Sequence, residues 1–536
     1  MPVGVVIERR GLEPMLNADA LAQTRLNDAV VALVDHVSLA RLVHIIGVHR
    51  LSSLVVVSQD EGAAWERGRE ALRLAKEDPF ALRVLSMADL CGSAHSRDQA
   101  TWRASLLLRA AAAMVREYAW LRPANIRLRL GGLRGRLSRR ALLAGPRPHH
   151  DVIPAIDEVR CAASRGCDLC LKACPFDAIR LVGASASVDK DRCRDCGLCV
   201  SACPTGAADH PFYGRRVLDA GVTALLTGEV QGSHDRIVAF ACRAAMAALR
   251  EAGRRRLAYP AAVLPLEVPS AGFPDLYLFL RAFDLGAAGV AALSCDGACS
   301  SACHPQAFRE AFSAIERVLY ALGLGSERLA LVTADSARRL ASSLDAFAAH
   351  VLRLPPHVLC QGLPVPGRAH QYRTAGLLAG IWRRTGIGDA LSVQHDSLPF
   401  GQPVFKSNAC SLCGLCAESC PTGALRYEES NQEANLLFRA ADCTGCGLCS
   451  NACPEAALVI ARRLEEASLR DDAIVLKSAD LRRCQQCGRG YAPEAMVSRV
   501  LSSLGERAPA VNFGYCPDCR MPAAMGKNCG SPEGGG

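Results

Sequence analysis

Cysteine residues at short, fixed spacings are the chemically distinctive feature of this 536-residue chain. One run reads Cys443-Thr-Gly-Cys446-Gly-Leu-Cys449-Ser-Asn-Ala-Cys453-Pro454, which has the spacing C-x2-C-x2-C-x3-C-P. The first three thiolates of such a run bind one cubane of iron and sulfide, and the fourth binds a neighbouring cubane. The run therefore predicts a partner run elsewhere in the chain and one-electron chemistry at two [4Fe-4S] clusters.

Four such runs are present, in two pairs, and each pair resembles a bacterial two-cluster ferredoxin domain. Exchange of the fourth cysteine within each pair predicts four ligand sets. These are Cys161, Cys167, Cys170 with Cys203; Cys193, Cys196, Cys199 with Cys174; Cys410, Cys413, Cys416 with Cys453; and Cys443, Cys446, Cys449 with Cys420. A disulfide framework is the alternative, but disulfides are typical of small secreted scaffolds. Zinc sites use two C-x2-C pairs rather than triads closed by Cys-Pro.

The earliest run departs from the pattern in its first gap. Cys161 is separated from Cys167 by five residues, and Ser164 stands where the first cysteine of the triad is expected. We expect Cys161 to replace that ligand through a wider loop. The alternative is a cluster with an open iron or with three irons.

A further group of cysteines lies near the C-terminus. Cys484 and Cys487 form one C-x2-C pair, and Cys516 and Cys519 form another. Two such pairs can build a closed tetrahedral zinc site of four thiolates, which is structural because no coordination position stays open. A rubredoxin-like single iron is the alternative.

Composition limits the classes of function. The formal charge is +9, but a cubane with four thiolates carries roughly −2 because binding deprotonates the ligands, so four clusters bring the net charge to about +1. The excess of basic residues is therefore no argument for nucleic-acid binding. Residues 122–147 contain eight arginines and no acidic residue. This segment is interpreted either as a solvated linker or as a docking surface for an acidic redox partner. With neither a signal peptide nor an apolar run long enough to span a membrane, the sequence predicts a soluble, cytoplasmic protein.

The first 155 residues are predicted to form an α/β domain that ends in the arginine-rich linker. Apolar positions over residues 27–45 have helical spacing, residues 51–58 and 80–88 indicate strands, and residues 61–77 indicate a helix. Residues 51–119 resemble the N-terminal part of the flavin-containing subunit of heterodisulfide reductase, in which a cysteine and a histidine four residues apart precede a long helix. Here these are Cys91 and His95. The chain has no G-x-G-x-x-G, so the resemblance does not imply flavin chemistry.

Residues 235–352 alternate strands with helices in a doubly wound pattern, and they resemble the delta subunit of methyl-viologen-reducing hydrogenase. The strand-end cysteine of that family corresponds to Cys242, and its G-C-x4-C segment to Cys295 and Cys299. Ser294 replaces the glycine and the gap is one residue shorter; Ala245 and Ser270 stand where the family has further cysteines, one of which Cys303 could replace. Four thiolates here could hold a [2Fe-2S] cluster. The alternative is a domain that kept its fold and lost its metal.

The predicted fold class is thus multidomain α/β and α+β. Six regions are predicted. They are the α/β domain with its linker (1–155), the first ferredoxin domain (156–210), the second α/β domain (211–352), a connection that contains Cys360 (353–400), the second ferredoxin domain (401–462), and a zinc-ribbon-like module with its tail (463–536).

These features predict an iron–sulfur electron-transfer subunit without bond chemistry of its own. The resemblances imply that its partners are an electron acceptor protein and a catalytic oxidoreductase, such as a formate dehydrogenase, a hydrogenase or a heterodisulfide-reductase-like complex. Neither nucleic acid nor a membrane span is expected. Two alternatives stay open: an oxidoreductase whose active cluster or thiol lies among Cys295, Cys299 and Cys303, and a redox-sensing regulator that binds nucleic acid.

Overall fold

A computed structural model describes most of the chain, namely residues 2–13, 15–26, 28–118, 126–130, 148–227, 235–295, 305–355, 357, 370–385, 391–430, 432–470, 472–504 and 513–524. The chain forms two compact units. The first comprises Met1–Cys161, Asp168–Gly367 and Gly380–Gly388, and the second comprises Ala162–Cys167, Arg368–Ala379 and Asp389–Gly536.

The first unit begins with a parallel four-stranded sheet. Its strands are β1 (Val3–Glu8), β2 (Val30–Val34), β3 (Ser53–Val57) and β4 (Leu82–Leu85), in the order β2-β1-β3-β4. The helices of this region are α1 (Ala18–Ala22), α2 (Leu39–His49), α3 (Glu61–Leu74), α4 (Met87–Cys91) and α5 (Arg97–Arg116). Strands β1 and β3 are buried along their whole length, as expected of central strands in a parallel sheet.

The predictions for this region are confirmed at three elements and wrong at one. Strands β3 and β4 and helix α3 lie where the sequence predicts strands and a helix. The single helix predicted over residues 27–45 is instead strand β2 followed by helix α2. The β-branched run of β2 pairs with β1, and the Ser38 side chain accepts a hydrogen bond from the Arg41 N–H at the start of α2.

The elements that follow are short and carry the first two cysteine runs. Antiparallel pairs are formed by β5 (Ile126–Leu130) with β6 (Pro148–Val152), by β7 (Ala155–Ile156) with β10 (Ala208–Asp209), and by β8 (Ile179–Val182) with β9 (Ser185–Val188). The helices are α6 (Leu169–Ala173), α7 (Leu198–Ala202) and the longer α8 (Arg215–Leu226). Helices α6 and α7 each end immediately before the fourth cysteine of a run, Cys174 and Cys203.

A second parallel sheet follows. It consists of β11 (Ile237–Cys242), β12 (Val263–Val268), β13 (Gly289–Ser294) and β14 (Leu329–Thr333), in the order β12-β11-β13-β14. Its helices are α9 (Arg243–Arg254), α10 (Leu276–Asp284), α11 (Pro305–Ala321) and α12 (Ala337–Val351). These four strands and the helices α9, α11 and α12 confirm the predicted alternation. Helix α10 is an addition that the sequence analysis does not predict. All nine of its residues are buried, including the ion-paired Arg281 and Asp284.

A buried arginine joins the two sheet regions of the first unit. The Arg103 guanidinium on α5 is fully buried. It donates hydrogen bonds to the backbone carbonyls of Leu90, Tyr259, Pro260 and Ala261. A guanidinium can satisfy several carbonyls from one fixed plane, so this side chain links the loop after α9 to the N-terminal sheet region.

The second unit is built from antiparallel strands. One sheet has the order β17 (Leu425–Glu429), β18 (Glu433–Phe438), β21 (Ile474–Arg483) and β22 (Gly490–Pro493). Two smaller pairs are β15 (Ser392–Gln394) with β20 (Arg463–Glu465) and β16 (Gln402–Phe405) with β19 (Leu458–Ala461). The helices are α13 (His370–Thr385), whose residues are divided between the two units, α14 (Leu415–Glu418), α15 (Leu448–Ala452), α16 (Glu494–Leu504) and α17 (Pro517–Ala524). Among the described residues, no helix is long and apolar enough to cross a membrane.

Candidate metal centres

In the second unit the two cysteine runs exchange their fourth members around two small cavities. One cavity is lined by Cys410, Cys413, Cys416 and Cys453. The other is lined by Cys420, Cys443, Cys446 and Cys449. Helices α14 and α15 place the last cysteine of each run beside the first three cysteines of the other run. The structure thus brings together the residues of two predicted ligand sets.

Burial and crowding make the thiols of Cys416 and Cys449 unfavourable to ionise unless a cation is present. Burial raises the pKa of Cys416 to about 12, and the charges of Cys410, Cys413 and Cys453 add to the rise. Burial likewise raises the pKa of Cys449 to about 12, with contributions from Cys420 and Cys446. Such groups of thiols suit a cofactor that is bound as thiolates and compensates their charge.

The backbone around each run turns through left-handed conformations. Leu412 and Gly414 flank Cys413 with φ of 59° and 78°, and Gly445 and Gly447 flank Cys446 with φ of 65° and 76°. These turns leave backbone N–H groups near sulfur: the Leu412 N–H donates to Cys410 Sγ at 3.3 Å. Such N–H···S contacts help to set the reduction potential of iron–sulfur centres.

In the first unit, the run Cys193–Cys203 has the same construction. Burial raises the pKa of Cys196 to about 12, and the charges of Cys174 and Cys193 contribute. The pKa of Cys199 is raised by burial and then by Cys196, Cys193, Cys170 and Cys174. Cys174, the fourth cysteine of the first run, therefore lies with the cysteines of the second run, as Cys420 does in the other pair.

The irregular run is only partly placed by the structure. Cys161 packs in the same small apolar cluster as Cys203, and the Ala186 N–H donates to Cys161 Sγ at 3.4 Å. Gly166 keeps the left-handed turn before the second cysteine, with φ of 83°, but Asp168 after it has φ of −128°. Cys167 belongs to the second compact unit. Ligation by Cys161 stays a prediction.

The second α/β domain contacts the run Cys193–Cys203 directly. The buried Ser270 hydroxyl donates to the Cys196 carbonyl at 2.7 Å, and the Ser201 hydroxyl donates to the Phe273 carbonyl at 2.8 Å. Gly197, with φ of 77°, leaves no room for a side chain because a Cβ there would overlap the Phe273 ring. Sequence reasoning missed this role of Ser270, and its only signal is that Ser270 stands where the hydrogenase family has a cysteine.

A buried charged group lies beside the same run. Asp195 accepts a hydrogen bond from His210 Nε2 at 2.9 Å and forms an ion pair with Arg243. The Phe212 N–H donates to His210 Nδ1, so Nε2 is the protonated ring nitrogen. Burial by itself would raise the pKa of Asp195, but His210 and Arg243 outweigh it and lower the pKa. The carboxylate thus stays charged one residue from Cys196.

The cysteines of the second parallel sheet are incompletely described. Cys242 at the end of β11 and Cys295 after β13 are both buried and interact, and the pKa of Cys242 is raised to about 11 by burial and then by Cys295. Cys299, Cys303 and Cys360 lie outside the described residues. The structure therefore brings two of the four predicted thiols together.

The C-terminal cysteines form one compact group. The Sγ atoms of Cys484, Cys487, Cys516 and Cys519 all lie within 4.8 Å of one another. The Sγ atoms of Cys487 and Cys516 are 3.8 Å apart, and tetrahedral zinc with Zn–S bonds of about 2.3 Å requires sulfur separations of about 3.8 Å. Burial would raise the pKa of Cys484, but backbone N–H groups of Cys487, Cys516 and Gln486 outweigh it and lower the pKa to about 6. The donor set fits a tetrahedral metal ion.

Cys91 lies apart from these groups. Its thiol is fully buried, and burial raises its pKa to about 12. Helix α4, which ends at Cys91, packs so closely on α9 that a Cβ on Gly253 would overlap the Asp89 carbonyl oxygen. This environment is that of an inert core thiol.

Comparison with known families supports the iron–sulfur interpretation. Residues 153–207 and 409–457 match the family described as the 4Fe-4S dicluster domain. Residues 237–354 match the family described as the delta subunit of methyl-viologen-reducing hydrogenase. Both resemblances predicted from the cysteine spacing and the strand–helix alternation are confirmed. No curated protein matches the chain, and the resemblance to heterodisulfide reductase stays a prediction.

Proposed function

We propose that this chain relays single electrons between a catalytic oxidoreductase and a separate acceptor protein. The proposal starts from the two stretches similar to 4Fe-4S dicluster domains and the one similar to a hydrogenase delta subunit. The observation that carries the proposal is the exchange of fourth cysteines around the two cavities of the second unit. This arrangement is the ligand pattern of two-cluster ferredoxins.

The proposed ligands are the four sets named from the sequence. When bound, each [4Fe-4S] cluster supplies a one-electron redox change with little movement of its ligands. The chain's own contribution is to bury the thiols and to direct backbone N–H groups at sulfur, as at Cys410, Cys174, Cys203 and Cys453. Cys242, Cys295, Cys299 and Cys303 are the proposed ligands of an additional two-iron cluster.

The second α/β domain is the proposed continuation of the relay. Cys242 is followed directly by Arg243, which pairs with Asp195 next to Cys196, and Ser270 holds the Cys196 carbonyl. These contacts fix the domain against a predicted cluster ligand, and such close contact favours electron exchange. The domain's likeness to a hydrogenase delta subunit favours a hydrogenase, a formate dehydrogenase or a heterodisulfide-reductase-like complex as partner; that choice rests on analogy.

The C-terminal four-cysteine group is the proposed structural zinc site. All four positions of a tetrahedron would be filled by Cys484, Cys487, Cys516 and Cys519, so the ion would hold the fold rather than react. Strands β21 and β22 of this module continue the sheet that β17 and β18 begin. The ion would therefore stabilise one end of the second dicluster region.

The first experiment is a count of iron, acid-labile sulfide and zinc in protein purified without oxygen. Four cubanes give roughly sixteen iron and sixteen sulfide per chain, and a two-iron cluster raises each to about eighteen. One zinc per chain is expected. A count near eight iron would mean that one of the two dicluster domains carries no clusters, and this would contradict the relay.

A second experiment separates a relay from an enzyme. Protein reduced with dithionite should reoxidise when a redox dye or an acceptor protein is added, with one electron released per working cluster. It should show no turnover of formate, hydrogen or a disulfide substrate in the absence of a partner. Sustained turnover by the chain alone would contradict the proposal.

A further inference from the structure

The first unit contains a cavity that the proposed relay does not use. Its volume is about 410 Å³, within the range of small-molecule sites in proteins. It is lined by residues of α3, β4, α5, α9 and β12, together with the pair Arg194 and Asp195 between two cysteines of a predicted cluster set. Such a space is large enough for a ligand the size of a mononucleotide.

The lining of the cavity contains both apolar and charged residues. Its apolar residues include Trp65, Leu107, Ala111, Met114 and Leu266. Its charged residues are four arginines and two carboxylates, namely Arg83, Arg194, Arg243 and Arg250 with Asp195 and Glu267. A ligand that fits this lining has a flat apolar part and an anionic group.

Two of these arginines are weakly compensated by protein carboxylates. Arg83 donates to the Phe212 carbonyl at 2.7 Å, and burial lowers its pKa. Arg250 Nη2 lies 3.4 Å from Glu61 and 3.9 Å from Glu267, longer than the roughly 2.7–2.9 Å typical of charge-assisted hydrogen bonds.

The Arg250 guanidinium also has an unsatisfied donor. Its Nε is buried and has no hydrogen-bond partner among the residues that the structure describes. A buried donor without a partner destabilises a protein by about 1–3 kcal/mol. Arg250 itself lines the cavity, and its ion pairs with Glu61 and Glu267 are long, so its guanidinium has capacity to bind an anion there.

We propose that this cavity is a binding site for an aromatic anion of about mononucleotide size, with its ring against Trp65 and Leu107 and its anionic group at Arg250. The site lies next to the run Cys193–Cys203, because the Asp195 N–H donates to Cys193 Sγ at 3.4 Å. The inference goes beyond the relay and holds whether or not the chain transfers electrons.

Isothermal titration calorimetry on the anaerobic, metal-loaded chain tests this site. The probes are 1-anilinonaphthalene-8-sulfonate and adenosine monophosphate, which are aromatic anions, and inorganic phosphate, which lacks a ring. We expect saturable binding of at least one aromatic probe at one site per chain, and at least tenfold weaker binding of phosphate. No saturable binding of either aromatic probe, or equally strong binding of phosphate, would overturn the proposal.

Three variants locate the binding. Arg250→Gln should weaken aromatic binding about tenfold or more, and Ala111→Phe should abolish it by filling part of the cavity. Arg255→Gln is the matched control, because Arg255 directly follows the same helix, is 67% exposed and pairs with Glu251; this variant should bind as the native chain does. Iron content and the thermal midpoint check that Ala111→Phe folds. If Arg250→Gln and Arg255→Gln bind equally, the assignment to this cavity is wrong.

Discussion

The Ser270 hydroxyl donates a 2.7 Å hydrogen bond to the carbonyl oxygen of Cys196. Ser270 belongs to the loop after β12, and Cys196 is a proposed cluster ligand. The bond is buried, so it both satisfies a backbone carbonyl and fixes the distance between the second α/β domain and the cysteine run.

Ser270→Ala tests that bond. The variant leaves the Cys196 carbonyl without its partner, which should cost about 1–3 kcal/mol and lower the midpoint of thermal unfolding of the first unit by several degrees. Differential scanning calorimetry measures the change. Ser105→Ala is the control, since its hydroxyl donates to the Trp102 carbonyl within helix α5 of the same unit; an equal shift in both variants would contradict the proposed role.

Gly197→Ala tests the close approach of Phe273 to the same run. A Cβ at Gly197 would overlap the aromatic ring, whereas a Cβ at Gly206 meets nothing within 4 Å. Both glycines are left-handed, so Gly206→Ala should lose only the conformational strain of about 1–2 kcal/mol. Gly197→Ala should be more destabilised in the same calorimetric scan. Equal losses would mean that Phe273 and the cysteine run do not touch as described.

The wide loop before Cys167 can be tested by metal content. If Cys161 is the missing ligand, Cys161→Ser should lose between one and four of the roughly sixteen iron atoms expected of four cubanes. Ser164→Ala should retain them all. Iron analysis and the electron paramagnetic resonance spectrum of the reduced protein give the measurement. Full iron in Cys161→Ser would instead indicate another ligand or a cluster with an open iron.

The C-terminal module should depend on zinc alone. Cys516→Ser removes one of the four clustered thiols, and we expect loss of the single zinc with no change in iron. Limited proteolysis should then cleave within residues 472–524, because a structural site loses its fold with its metal. Loss of one iron instead of zinc would assign a rubredoxin-like centre.

Cys91 should be unreactive in the native protein. With a pKa raised from 9.0 to about 12, its thiolate population at pH 8 falls about a thousandfold. Alkylation by iodoacetamide, followed by mass spectrometry of the Cys91 peptide, should be slow in the folded chain and fast in urea. Its rate in the folded chain should rise about tenfold per pH unit. Rapid native labelling at pH 8 would contradict the buried environment.

Much of the chemistry could be predicted from the local spacing of the cysteines. The runs around Cys443 and Cys193 predict dicluster domains because three thiolates within seven residues can bind only one small cofactor, and both matching stretches bear this out. The strands of the second parallel sheet could be predicted as well, since short apolar runs such as Ile237–Cys242 alternate with amphipathic helices.

Tertiary structure decided the features that depend on residues distant in sequence. The complete burial of helix α10, including its charged residues Arg281 and Asp284, depends on the segments packed around it. The helix predicted across β2 is wrong because pairing with β1 overrides local spacing. The contacts of Ser270 with Cys196, of Arg103 with the loop after α9, and of Arg250 with the cavity join segments that are far apart in the chain. Spacing reports which side chains can share a local turn, whereas only the packed chain shows which distant groups meet.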